Sequence, residues 1–162
     1  MRIASLFAVT LLIAIATAGM DTIADISEKV TAAFDLETGK FAEGAYETLL
    51  EAHTMIGEAL EGEITDDNEL CSLGAMDCMV MYNLTCLEAI NGNTDEAFTW
   101  LEGSVGAGFG DPDWMLDDED LASLREDARF QELVEAAAEN KEDDCSGPCS
   151  TEGSCCGSGA CE

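Results

Sequence analysis

The sequence predicts an all-α fold built from antiparallel helical hairpins. Three observations carry that expectation. Apolar residues recur at spacings of three and four along most of the chain beyond residue 20, the repeat of one helix face. Gly39 and Asn91-Gly92-Asn93 interrupt the longest of these stretches, and glycine readily takes the left-handed conformation that ends a helix. No segment alternates with period two, so no sheet is expected.

Three regions follow: a signal peptide over 1–19, a helical domain over 20–140 and a Cys/Gly/Ser-rich tail over 141–162. Arg2 supplies a positive end, Ile3 to Ile15 an apolar core, and Ala16-Thr17-Ala18 a small-x-small cleavage signal before Gly19. The rival, a membrane anchor, needs about 20 strongly apolar residues. Ser5, Thr10, Thr17 and Gly19 dilute this stretch. The expectation is therefore export to a periplasmic or extracellular space, with no stable membrane insertion once the signal is removed.

Thr22 to Leu36 reads as the first helix, with Ile23, Ile26, Val30, Ala33 and Phe34 on one face. Gly39 ends it. Phe41 to Glu61 reads as the second, with Phe41, Ala45, Leu49, Ala52, Ile56 and Leu60 in register. An acidic loop over 61–68 follows, from which Asp67 or Asn68 caps the next helix. That helix, Ala75 to Asn91, is apolar on several sides, as expected of one sandwiched between neighbours. Thr94 caps the next helix, Ala97 to Val105, and Gly103, Gly106, Gly108 and Gly110 dismantle it. Asp111 to Asp120 reads as an acidic connector. One or two final helices over 121–138 turn Leu121, Leu124, Phe130, Leu133 and Val134 inward. The last residues form a tail expected to be disordered.

The chain holds 35 acidic and six basic residues, a net charge of −29. Such a surface repels nucleic acid, because phosphate affinity comes from Lys and Arg displacing counterions. It favours cations or basic proteins, and it also serves plain solubility.

Between Met81 and Ser104 the chain resembles the tetratricopeptide repeat, a helix pair of 34 residues. Met81, Leu84 and Thr85 match the first helix, Gly92 the turn, and Ala97, Leu101 and Ser104 the second helix. Thr85 replaces the usual alanine, and Glu88 stands where an aromatic is common. Gly39-Lys40-Phe41-Ala42-Glu43 followed by Ala45, Leu49 and Ala52 is similar to the turn and second helix of another unit. Asp118, Asp120, Leu121, Leu124, Arg125, Asp127, Arg129 and Phe130 resemble the segment that closes some bacterial arrays, with Ala128 in place of its proline. An open stack needs such a cap over its last apolar face.

The resemblance implies a scaffold that binds a protein or peptide in a groove lined by the first helix of each pair. Its candidates here are Met79, Tyr82 and Asn83, with Cys86 and Ile90 more in keeping with the core. The lysines and arginines that hold a peptide carboxylate in some relatives are missing from these positions. A basic or apolar segment is the better expected partner.

The eight cysteines are the second signal. Cys145, Cys149, Cys155, Cys156 and Cys161 crowd the tail, and an oxidising space makes disulfides the default. The alternative function is soft-metal binding, of zinc or cuprous copper, or thiol redox exchange through that tail. The spacings C-x3-C, C-x5-C, C-C and C-x4-C lack the C-x2-C pair of structural zinc sites. No cofactor is expected otherwise. Cys71 and Cys78 are seven apart, about 10.5 Å along one helix, too far for a mutual bridge.

Catalysis finds little support. His53 is the only histidine and has no partner evident in the sequence. Asp111, Asp113 and the run from Asp117 to Asp120 lack the spacing of a calcium loop. Trp100 and Trp114 read as packing anchors, and Arg125 and Arg129 as clamps for the last helix. The expectation is a protein that is not an enzyme.

Overall fold

The computed structural model describes residues 18–143, apart from 36, 38, 63 and 65. The expected signal segment, residues 1–17 at least, and the tail cysteines lie outside the described residues. Within them the three-and-four spacing becomes six helices: α1 Ala18–Ala32, α2 Ala45–Leu60, α3 Asp67–Asn91, α4 Thr94–Gly106, α5 Pro112–Asp117 and α6 Ala128–Asp143. A single 3-10 turn spans Glu119–Leu121. The protein is all-α, as the periodicity requires.

One small sheet departs from expectation. Strands β1 Phe34–Asp35 and β2 Lys40–Phe41 pair antiparallel, with Phe34 opposite Phe41 and Asp35 opposite Lys40. The first helix therefore stops at Ala32 rather than Leu36, and the second begins at Ala45 rather than Phe41. The cause is local. Gly39 takes φ +70° and donates its N–H to Asp35 at 2.7 Å, so it builds the hairpin turn instead of capping a helix. The rings of Phe34 and Phe41 stack 5.1 Å apart, a cross-strand aromatic pair of the kind that holds short ladders together. Two-residue strands are too brief to show a period of two.

Helix α3 is longer than its apolar run suggests and organises the molecule. Asp66 caps it, accepting the Asn68 N–H at 2.8 Å. Gly92, at φ +80°, closes it. Its residues divide between two cores. Cys78, Tyr82, Cys86 and Ala89 face Ala97, Phe98, Leu101, Phe109 and the C-terminal elements. Leu73, Val80 and Leu84 face Ile26, Ala33, Leu49, Ala52 and Ile56 of α1 and α2. Such a helix is apolar nearly all round because two layers cover it. By length and composition α3 alone among the described helices is apolar enough to cross a membrane; here that apolarity lines the two cores.

Helices α3 and α4 approach closely. A Cβ added to Gly103 would lie 2.8 Å from Met81 Sδ, and buried Ser104 donates its hydroxyl to the Cys78 carbonyl at 2.8 Å. The turn between them is latched by Glu88, whose carboxylate accepts from the Asn93 side chain at 2.6 Å. That is why a carboxylate occupies a buried position here.

The chain beyond Gly106 folds back over α3 and α4. Asp111 and Asp118 cap α5 and the 3-10 turn, accepting from Trp114 N at 3.0 Å and Asp120 N at 3.0 Å. The acidic connector is thus largely helical, because its aspartates serve as caps. Helix α6 is a single helix that runs three residues past the expected boundary at 140. Asn140 pins it by donating to the carbonyls of Val105 and Phe109 at 2.8 and 3.0 Å.

Candidate functional site

One face of α3, exposed at Met79 and Ile90, forms the floor of a groove of about 1280 Å³. Met79, Asn83, Cys86 and Ile90 recur at four, three and four residues, so they share one side of the helix. Tyr82 lies beside them. All five line the groove. Phe34, Lys40 and Phe41 of the hairpin form one wall, and Trp114 stands on the other with Asp111, Asp113, Asp117, Asp118 and Asp120. The three residues expected from sequence, Met79, Tyr82 and Asn83, are therefore brought together.

Two expectations about this region need correction. Ile90 is not core: it is 55% exposed, because α4 covers the opposite side of α3 and nothing described covers this one. Trp114 is likewise no packing anchor, at 55% exposed. Met115, its neighbour, takes the buried position in that short helix. Met79 is 39% exposed. Cys86 matches its expectation as a buried residue.

Asp118 is the hub of the acidic wall. Its Oδ2 accepts the Tyr82 hydroxyl at 2.9 Å and the Cys86 thiol at 3.7 Å, and its Oδ1 caps the following turn. Its carbonyl accepts Arg125 Nη2 at 2.7 Å. Tyr82 in turn stacks on Phe109, with ring centroids 4.6 Å apart. The wall is fixed to the floor through these contacts, a preformed arrangement of the kind that lowers the cost of binding.

Cys86, Asp118 and Asp120 bring possible metal-binding atoms within 4.8 Å of one another. Burial, reinforced by the charges of Asp118 and Asp120, pushes the Cys86 thiol far above its usual range. Tyr82 and Cys86 both donate to Asp118, so the cluster as it stands is a hydrogen-bonded junction. The same burial predicts that Cys86, a free thiol, escapes alkylation in the native protein at pH 8 and labels only after unfolding. Peptide mass mapping checks this; native labelling at Cys86 as fast as in denaturant would contradict it. Cys71 and Cys78 are engaged rather than free. Helix α3 runs unbroken between them, so they are not bridged to each other.

Asp120 lies above the ordinary carboxylate range, first through partial burial and then through the charges of Asp118 and Glu119. A raised carboxyl supports folding while protonated. That contribution is complete below about pH 4 and is lost as pH rises through the folded value. Asp120→Asn is therefore expected to raise Tm at pH 7 and to leave it nearly unchanged near pH 3.5. Thermal melts at the two pH values test the sign. Asp127 behaves oppositely: its hydrogen bonds from Arg129 hold it below the usual range, so its support is lost as pH falls.

Outside the groove, His53 does have a partner, contrary to the sequence expectation. Its Nδ1 lies 2.6 Å from Asp77 Oδ1, and its ring meets Trp100 edge-on at 5.4 Å. Asp77 belongs to α3 and Trp100 to α4, so the imidazole joins three helices. A contact between α2 and positions 24 and 47 residues away leaves no trace in local periodicity. Arg125 and Arg129 clamp the C-terminal region as expected. Arg129 bonds Asp127 at 2.8 Å and Asp95 at 3.1 Å and lies over the Phe98 ring.

Residues 52–145, more than half of the chain, match the family described as A/B hydrolase-like, N-terminal domain. The chain belongs to that family. The match begins within α2 and takes in the groove floor, the acidic wall and α6. It replaces the tetratricopeptide repeat as the family of this chain; the helical hairpin at Gly92 is what the resemblance captured. No curated protein and no solved structure matches the chain.

Proposed function

We propose that this A/B hydrolase-like N-terminal domain is a non-catalytic binding module that holds a segment of another protein or peptide in the groove over α3. One observation carries the reading. Met79, Ile90 and Trp114, three of the seven large apolar side chains exposed among the described residues, line the same preformed groove. Scattered exposed apolar residues are ordinary, whereas their convergence marks an interaction site. The likeness of the hairpin to tetratricopeptide units, which bind peptides along the first helix of each pair, supports the same face. The family name, that of an N-terminal domain of hydrolase-like proteins, fits a module that accompanies catalysis without performing it. The His53–Asp77 pair ties helices together and lies outside the groove, which supports the same conclusion. Export would place this binding in an extracytoplasmic space.

The test is site-specific photocrosslinking. A photoreactive phenylalanine at position 114 or 79 is expected to capture a discrete partner, and the same group at Glu58, outside the groove, is expected not to. Equal capture at all three positions, or none at 79 and 114, rejects the groove. The alternative function, soft-metal or redox chemistry through Cys145 to Cys161, falls on residues outside those described. Metal content and thiol counting on protein purified without reductant would decide it.

A further inference from the structure

The groove has one chemical asymmetry, and it identifies the occupant. Its floor is a stripe on a single helix face, from Met79 to Ile90. Eleven residues of helix rise about 16 Å, the length of roughly three turns of a second helix laid alongside. The spacing of four, three and four is the pattern that receives anchors at i, i+4 and i+7 of a docked amphipathic helix. An extended ligand would draw affinity from main-chain bonds to a strand edge, and the two-residue strands here offer almost none. A helix satisfies its own backbone and needs only side-chain anchors, which exposed Met79 and Ile90 supply at the two ends of the stripe, with polar Asn83 and buried Cys86 between them.

The wall beside that stripe is strongly acidic. Five aspartates line it between positions 111 and 120, and Lys40 is the one basic residue among the described residues of the lining. Asp117 and Asp120 are exposed on it. Asp118, held by Tyr82 and Cys86, keeps the row at a fixed height above the floor. Charge rows of one sign beside an apolar strip select an opposite row on the partner and steer its approach.

Resting on the reading of the groove as a binding site, we infer that its occupant is a short cationic amphipathic helix, with apolar side chains on Met79, Ile90 and Trp114 and lysines or arginines along Asp117 and Asp120. The apolar contacts supply affinity, and the aspartates set orientation. Acidic and neutral helices are discriminated against because the wall carboxylates would then lose water without gaining a partner.

The experiment uses the full chain and labelled peptides of about fourteen residues, near four helical turns, read by fluorescence anisotropy at physiological salt. One peptide is an amphipathic Leu/Lys helix. The second has the same composition with its order permuted to destroy amphipathicity. The third is an amphipathic Leu/Gln helix. The first is expected to bind roughly tenfold tighter than either other, a difference of about 1.4 kcal/mol. Asp117→Asn with Asp120→Asn should remove most of that advantage, and Ile90→Ser should weaken all helical binding. Glu47→Gln with Glu58→Gln, outside the groove, should leave affinity unchanged, and circular dichroism verifies that each variant folds. Equal binding of the permuted peptide, or equal loss with the Glu47/Glu58 pair, overturns the inference in favour of charge alone. Binding of the Leu/Gln helix as tight as the Leu/Lys helix, with sensitivity to Ile90→Ser, overturns it while leaving the groove intact. No binding by any peptide, together with no crosslink at 79 or 114, removes both.

Discussion

A fragment restricted to residues 52–145, the span of the family match, is expected to lose cooperative folding. It deletes α1, the hairpin and the first turns of α2. With them go Ile26, Ala33, Ala45 and Leu49, each 3% exposed or less. Their departure uncovers Ile56, Leu73, Val80 and Leu84, which share that core. Fully burying one leucine or isoleucine is worth about 1.5–3 kcal/mol. Losing two such residues and exposing four more approaches the whole stability of a small domain, about 5–15 kcal/mol. The fragment should show weak helical circular dichroism, no sigmoidal melt and dye binding to exposed apolar surface. A fragment of residues 20–145 should melt cooperatively. A sharp transition in the shorter fragment would show that the family's matched span is a folding unit by itself and that the α1–α2 layer is an accessory.

Which residues are buried was largely legible in the sequence, whereas their division into two cores on either side of α3 was not. Ile26, Leu49, Ile56, Leu84, Leu101, Leu124 and Phe130 all lie on the apolar face that periodicity assigns them, and all are buried. Glycine turn chemistry placed the α3–α4 corner correctly at Gly92, because a left-handed residue after a long helix has few other uses. Gly39 shows the limit of that argument. The same conformation serves a hairpin, and only the stacking of Phe34 on Phe41, a contact across the turn, distinguishes the two. Met79, Tyr82 and Asn83 came from the resemblance to a tetratricopeptide unit, whose first helix lines a groove, and they do lie together on the groove over α3. Ile90 and Trp114 were assigned to packing because an apolar side chain carries no mark of whether a neighbour covers it. The acidic wall was visible as composition but not as geometry. That Asp118 would be gripped by Tyr82 and Cys86 depends on contacts 36 and 32 residues apart in sequence.

Replacing Phe130 by alanine is expected to destabilise the protein by about 3–5 kcal/mol, the range for emptying a large aromatic site in a core. Phe130 is 1% exposed and belongs to the core that holds Phe109, Met115, Leu121 and Leu124. Those residues flank the segment bearing Asp118, so the substitution should also loosen the groove wall. Arg129, one residue earlier, offers a control. Asp95 is open to solvent and Asp127 partly so, and ion pairs near the surface contribute little. Arg129→Ala should therefore shift the urea midpoint far less than Phe130→Ala, even though it removes every side-chain bond from that residue to Asp95 and Asp127; the backbone N–H of residue 129 still donates to Asp127. Equal shifts would mean that the C-terminal helix is held by charge and not by packing. Peptide anisotropy on Phe130→Ala, under conditions where it remains folded, separates the two consequences. Weakened binding with intact helicity indicates that α6 supports the wall. Unchanged binding indicates that Tyr82 and Cys86 hold Asp118 in place without it.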